Sequence, residues 1–546
     1  MTSASQADLP TAASLRKDNR PPFARVLVAN RGEIAVRIIR ACHELGMEAV
    51  AVFSDADSAA GHVRAADTAV RLGPAPPADS YLRADLIIDA ARRTGAEAIH
   101  PGYGFLAERA SFAREVEAAG LVFVGPSSAT IAGVGDKLAA RRLAAEAGVL
   151  AVPGTLDPAP VDRPDAVEAI LAEAAKIGFP LLVKAAAGGG GRGMRRVDRV
   201  EDLPAALAGG SAEAASAFGD GSVYLERVIA PARHIEVQLL GDHAGTIVAL
   251  GERDCSIQRR HQKLVEESPA PGLTDEEREV LHDRAVRVAQ AAGLENAATA
   301  EFLFDTDRQF WFLEVNTRLQ VEHGVTELTA DLDLVREQFE IAAGRPLSAR
   351  ALAAAERARH PTRHAIEVRL SAEDPGGDFT PAPGRVGRWS MPAGPGVRID
   401  TAVEAGDRVP PDYDPLIAKL LVVDLDRGAA IGRLVRALDE VEVTGIQTTL
   451  PFHRFVAAHP AFREARLSTD WVAQEWDPAM RALRDEALGV ASTIAAAVAS
   501  RAVAGLDAPR PDATPADVAA RTGHSASPRP GWRELGRAEA IDRWPR

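Results

Sequence analysis

The chain has 546 residues, 46% hydrophobic and 26% charged, an ordinary balance for a folded protein and too long for a single hydrophobic core. Its formal net charge of −14 argues against a general nucleic-acid or anionic-membrane binder. Cys42 and Cys255 are its two cysteines and the first 22 residues lack an apolar leader, so the expectation is a soluble, cytoplasmic protein without a disulfide framework.

Ordered sequence is expected to follow a disordered extension at 1–23. Ala24–Ala29 is an apolar run suited to a buried parallel strand, Ile34–Leu45 has helical periodicity closed by Gly46, and strands are predicted at Glu48–Phe53 and Ala98–His100. This β-α-β opening predicts a doubly wound α/β domain over 24–136. The missing dinucleotide fingerprint after the first strand argues against NAD. Asp136–Gly148 reads as helical, and a smaller unit follows over 137–228, with a helix at Asp165–Ile177 and a strand at Pro180–Ala185. Strand patterns dominate 229–476, with a helix near Asp275–Ala292. In the Ala- and Pro-rich residues 477–546, Ala487–Val503 predicts a helix that is not a membrane span, and Ala508–Pro530 a flexible linker.

Four groups of residues suggest chemistry. Lys184 ends a strand shortly before the glycines 188–191, whose backbone can approach an anion and offer N–H groups to phosphate oxygens. The spacing is not that of a P-loop. Ala300–Phe304 and the strand from Phe310 are joined by the turn-like Asp305–Arg308, so a hairpin should set Glu301 against Glu314. Two facing carboxylates repel unless a cation lies between them, which suits Mg²⁺ with nucleotide phosphates. From there Glu314, Asn316, Arg318, Gln320 and Glu322 alternate, and a continuous strand would place all five on one face, fitting a metal with phosphate and then a small planar anion. In Ser256–Val265, strand geometry would put Arg259, His261 and Lys263 on a shared face. By local context His234 and Cys255 read as structural, whereas Arg369, a charge within an apolar strand, needs a partner.

Taken together, Ala29–Ala35, His100–Leu106, Gly135–Lys137, Gly188–Met194, Arg253–Lys263 and Glu314–His323 resemble the biotin carboxylase component of biotin-dependent carboxylases, over roughly 24–475. The resemblance implies biotin carboxylase architecture: an N-terminal doubly wound α/β domain, a mobile ATP-grasp lid and a C-terminal α+β catalytic domain. It implies that Lys137, Lys184, Gly190, Gly191, Glu226, Ile229, His234, Gln258, His261 and Glu301 contact ATP, and that Glu301, Glu314 and Asn316 hold Mg²⁺ or Mn²⁺. Lys263, Arg318, Gln320 and Val321 would bind bicarbonate, Glu322 would be its base, and Arg369 would stabilise the biotin enolate. The chain departs from the family pattern at Ala187, Arg109, Gly324 and Thr329–Asp333. None of Met1, Met47, Met194, Met391 and Met480 adjoins a lysine, so the biotinyl carrier is expected in trans. The other expected partners are a second copy of the chain and a carboxyltransferase subunit, with Trp532 and Trp544 as candidate docking anchors. Two further readings are an ATP-grasp ligase joining a carboxylate to an amine, which would not need the Arg318–Glu322 run, and a non-catalytic nucleotide-binding scaffold.

Overall fold

The computed structural model describes residues 21–158, 164–186, 194–477 and, beyond these, 479–480, 483 and 489–494. The chain divides into two compact units, Met1–Pro478 and Ala479–Arg546. The glycine run, with Gly190 and Gly191, lies outside the described residues, as do the expected linker and Trp532 and Trp544. Of the expected Ala-rich helix, residues 489–494 are described and are helical. Among the described residues no helix is long and apolar enough to cross a membrane.

The first unit opens with β1 (Arg25–Val28), β2 (Glu48–Ser54), β3 (Thr68–Gly73), β4 (Ala98–His100) and β5 (Val122–Phe123). They form a parallel sheet in the order β3-β2-β1-β4-β5. The inner strands β1, β2 and β4 are buried along most of their length because helices cover both faces, whereas β3 at the edge exposes Thr68 and Arg71. Helix Gly32–Glu44 lays Ile34, Ile38 and Ile39 against one face, whereas Ile87, Phe112 and Val116 cover the other. The switch in strand order beside β1 puts the loops after β1 and β4 at a crevice, where ligands of open α/β sheets bind.

The small sheet of β6 (Leu181–Ala185), β7 (Arg195–Val197) and β8 (Val223–Arg227) has the order β7-β6-β8. Its own core includes Val183, Leu207 and Leu225. Alternation along β6 buries Leu181, Val183 and Ala185 and leaves Leu182 and Lys184 on the half-buried face.

The largest sheet is antiparallel, built on β9 (Ala232–Gly241), β10 (Ile247–Arg259), β11 (Gln262–Ser268), β12 (Asn296–Asp305), β13 (Phe310–Asn316) and β14 (His364–Ser371). Its order is β13-β12-β9-β10-β11-β14, extended by Leu416–Asp424 and Val397–Thr401. Helix Asp275–Ala291 packs on it, its start fixed by a Thr274–Glu277 capping box.

Two expectations need correction. The alternating run does not remain a strand: β13 ends at Asn316, residues 317–322 form a loop, and a helix runs over His323–Ala330. Leu319, fully buried in the core shared with Ile34 and Phe339, pins that loop, whose polar members Arg318, Gln320 and Glu322 line a cavity. Arg259, His261 and Lys263 likewise do not share one strand. Arg260 and His261 turn the chain with φ of 49° and 66°, which pairs Gln258 with Lys263 across β10 and β11.

Candidate active site

Register places the acids first. Glu301 on β12 is directly opposite Glu314 on β13, and Glu236 on β9 lies opposite Glu301 on its other side. Asn316, two residues after Glu314, donates from Nδ2 to Glu301 Oε1 at 2.9 Å. Like charges at such spacing are tolerated only with cations among them, and the structure supplies these. Lys137 Nζ lies 3.3 Å from Glu314 Oε2, and His234 Nε2 lies 3.0 Å from Glu301 Oε2. His234, which alternates with Glu236 on β9 and reads as structural by local context, thus has Glu301 as its partner.

Lys263 is the centre of the arrangement. Its Nζ donates to Glu236 Oε2 (2.5 Å), Glu322 Oε1 (2.7 Å) and Glu301 Oε1 (3.0 Å). Burial disfavours its charge, but Glu236, Glu301 and Glu322 outweigh that and hold the ammonium well above its usual pKa. Burial would raise the Glu301 carboxyl; Lys263 and His234 instead hold it well below the carboxylate range. Glu322 is fully buried, and Lys263, Arg369 and Arg253 overcome the burial effect to keep it ionised. Its Oε2 accepts from Arg369 at 3.0 Å, so Arg369 does find the partner its apolar strand requires. The other partner is Glu266, whose Oε1 accepts from Arg369 Nε at 2.6 Å.

Arg318 occupies the loop after β13. Its guanidinium donates to Glu108 Oε2 at 2.7 Å and Gln320 Oε1 at 2.8 Å, and Gln320 Nε2 reaches Glu301 Oε1 at 3.4 Å. The Val321 carbonyl accepts from the buried Lys419 at 2.9 Å. At the small-sheet end, Lys184 pairs with Glu226, whose other oxygen accepts from buried Arg141 at 2.7 Å. One cavity of about 1210 Å³ is lined by all of these except Glu236, Arg141, Arg253, Glu266 and Lys419, and Ile229, Gln258 and His261 also face it. Every described candidate site residue thus comes to one place.

Several supporting groups carry no clear signal in the sequence. Glu108 is 210 residues from Arg318. Arg253, fully buried, gives donors to Glu236, Gln238, Thr299 and Thr326. Glu236 had a usable signal, since it alternates with His234 along a strand. Cys255 has a partner that its neighbours in sequence do not reveal: its Sγ lies 4.0 Å from Glu322 Oε1.

Comparison with known proteins agrees with this arrangement. The family model for the biotin carboxylase N-terminal domain matches residues 22–131. The model for the ATP-binding domain of the carbamoyl-phosphate synthase L chain matches 136–350, and that for the biotin carboxylase C-terminal domain matches 367–474. The biotin carboxylase of Halalkalibacterium halodurans is 47% identical over 453 residues, covering 82% of this chain and 97% of that protein. A biotin carboxylase–β,γ-ATP complex from Campylobacter jejuni superposes with a TM-score of 0.78 at 41% identity, covering 83% and 99% of the two chains. The biotin carboxylase domain dimer of Hydrogenobacter thermophilus 2-oxoglutarate carboxylase, solved with MgADP, ADP and bicarbonate, gives 0.77 at 42% identity, covering 83% and 97%. The chain belongs to the biotin carboxylase family.

Proposed function

We propose that this chain carboxylates biotin on a carrier protein, consuming ATP and bicarbonate, as the biotin carboxylase subunit of a multi-subunit carboxylase. The observation that supports it most is Lys263 joined to both Glu301 and Glu322, because it ties a phosphate-and-metal end of the cavity to a buried base. Lys137, Lys184, Glu226, Ile229, His234, Gln258 and His261, with Gly190 and Gly191 of the glycine run, hold the nucleotide. Two facing carboxylates and an amide oxygen suit a hard divalent cation, so Glu301, Glu314 and Asn316 would hold Mg²⁺ or Mn²⁺. When bound, that ion offsets charge on the phosphates.

Bicarbonate fits between Lys263, Arg318, Gln320 and the backbone of Val321, beside Glu322. Glu322 is a weak base while Lys263 and Arg369 grip it. An anion that takes Lys263 as its own partner loosens that grip and raises the proton affinity of Glu322 at the moment a base is needed. As the bicarbonate oxygen attacks the γ-phosphorus, the bond from that phosphorus to the β,γ-bridging oxygen breaks and ADP leaves, the bicarbonate proton passes to Glu322, and carboxyphosphate forms. Protonated Glu322 then holds Arg369 less tightly, freeing a guanidinium donor for the ureido oxygen of biotin. Carboxyphosphate yields CO₂ and phosphate, phosphate takes the ureido N–H proton, and the enolate, steadied by Arg369, adds to CO₂.

Two copies of the chain, a biotinyl carrier and a carboxyltransferase complete the proposed assembly. Residues after about 485 are assigned to holding a partner: in the described helical stretch Val490 and Ile494, one turn apart, are 55% and 59% exposed. The test is ATP cleavage by the purified chain. It should require bicarbonate together with free biotin or biotinylated carrier; cleavage driven by an amino acid and indifferent to biotin would favour a carboxylate–amine ligase instead.

A further inference from the structure

Behind Arg369 lie two carboxyl groups that the proposed reaction does not use. Glu266 on β11 and Glu367 on β14 are direct partners in the antiparallel ladder, and both are fully buried. Side chains at such a pair emerge on the same face with Cβ atoms about 5 Å apart. Arg369 uses only Oε1 of Glu266, through Nε at 2.6 Å and a terminal nitrogen at 2.5 Å. Oε2 of Glu266 and both oxygens of Glu367 find no hydrogen-bond partner among the described residues.

The surrounding cations do not fill the gap. Arg369 on β14 reaches Glu266 and Glu322, and Lys263 on β11 is spent on Glu236, Glu301 and Glu322. Lys419, on the strand Leu416–Asp424 next to β14, directs Nζ to the Val321 carbonyl, to Glu33 at 3.3 Å and to Asp400 at 3.7 Å. The loop before helix His323–Ala330 brings Glu322, a further negative charge. Buried carboxyl oxygens without donors are not stable as two anions. A proton placed on one becomes the donor the other lacks.

We infer that Glu266 and Glu367 share one proton, Glu367 donating its O–H to the orphan oxygen of Glu266, and that this pair positions Arg369 for its proposed partner on biotin. Burial pushes both carboxyls up, with Glu322 adding in each case; Glu266 reaches about 7 against the pull of Arg369, and Glu367 lies well above its ordinary value against that of Lys419. The role rests on reading Arg369 as the ureido-oxygen partner. With the proton in place, Arg369 is tethered through one oxygen of a partly neutralised acid and can turn from Glu322 to the substrate. With both acids ionised, a second full charge would stand behind the position where the enolate develops, pulling Arg369 back.

The shared proton can be tested apart from turnover. Infrared difference spectra of wild type and Glu367→Gln at neutral pH should show a protonated-carboxyl C=O band that the substitution removes, and the wild-type band should fade as pH is raised. Absence of that band overturns the shared proton whether or not the chain carboxylates biotin. In kinetics, Glu367→Gln, a permanently neutral donor, should keep biotin-dependent kcat within about threefold and lose the alkaline fall caused by this pair, whereas Glu367→Leu should lower kcat about tenfold or more at unchanged KM for ATP. Equal rates and pH profiles in all three proteins would overturn the positioning role even if the band is present. Biotin-independent turnover of the wild type would remove the Arg369 role itself, and the spectrum alone would then decide the proton.

Discussion

Lys263 Nζ lies 2.7 Å from Glu322 Oε1, the carboxylate fully buried and the lysine side chain 12% exposed, so the proposed base is stored as half of an ion pair. Such a pair keeps the carboxylate unprotonated until an anion competes for the lysine. Glu322→Gln keeps size and hydrogen bonding but cannot accept a proton. Biotin carboxylation should fall roughly 10²–10⁴-fold, the usual cost of losing a general base. Binding of ADP by calorimetry should be little changed. Near wild-type carboxylation would show that the base lies elsewhere.

The Glu301–Glu314 pair gives a second test. Glu314→Gln removes one of two facing charges while leaving Lys137 and the hairpin in place. Mn²⁺ titration in the presence of ADP, followed by paramagnetic resonance, should show at least about tenfold weaker binding, the usual order for losing a hard-cation ligand. Chelation of divalent ions should abolish ATP cleavage by the unmodified chain. Unaltered Mn²⁺ affinity in the variant would exclude Glu314 as a ligand.

The two acids were legible in the sequence as members of one hairpin joined by Asp305–Arg308, but regular pairing from that turn would set Glu301 against Leu313, and it is a register shift between Glu301 and Phe302 that brings Glu301 opposite Glu314. Asn316, Arg318, Gln320 and Glu322, which follow, were legible as a chemical set but not as a shape. Period-two alternation is the same in a strand and in a loop whose apolar members are pinned, and nothing local announces that Leu319 is the pin. The turn at Arg260–His261 carries neither Gly nor Asn, so its left-handed backbone has no ordinary signature. Glu108 beside Arg318, and Glu266 opposite Glu367, arise from pairings over long sequence separations that only the assembled fold creates.

Four buried histidines should make the fold sensitive to acid. Burial pushes His62 and His453 down to about 4, and His100 and His323 down to about 3. An unfolded imidazole titrates near 6.5, so below that pH the unfolded chain binds protons that the folded one refuses. The histidine contribution to stability is therefore complete above about 6.5 and falls as pH drops toward the folded values, by up to about 1.4 kcal/mol per pH unit for each such histidine. Glu267 and Glu327, held at about 2 by His364 and Arg427 and by Arg37 and Arg398 against the effect of burial, add to the loss at lower pH. Glu33, Glu266 and Glu373, each pushed up to about 7 by burial, take up protons in the folded state and oppose the histidine loss between about pH 7 and 4.5. The imidazole contribution is therefore read by difference: His62→Gln should lose less of its urea midpoint than the unmodified chain between about pH 6.5 and 4, and an equal loss in both would contradict a neutral buried imidazole.

Gly324, where the chain departs from its family, is the second residue of the helix that follows Glu322. A Cβ there would lie 2.4 Å from Leu421 Cδ2 and 3.2 Å from Glu367 Oε2. Leu421 is fully buried in a small core with Val325 and Ala365, so its methyl cannot simply swing into solvent. Gly324→Ala gains helix propensity, about 1 kcal/mol, but must displace either Leu421 or the helix start, and overpacking of this kind typically costs about 1–3 kcal/mol. Because the start of the helix carries Glu322, a displacement near 1 Å should also reduce turnover by about 10²-fold. Leu421→Ala removes the obstructing methyl. The double variant should therefore be less destabilised than the sum of the single changes, and should recover part of the lost rate. Strict additivity in urea unfolding and in kcat would mean that Leu421 is not what confines this position.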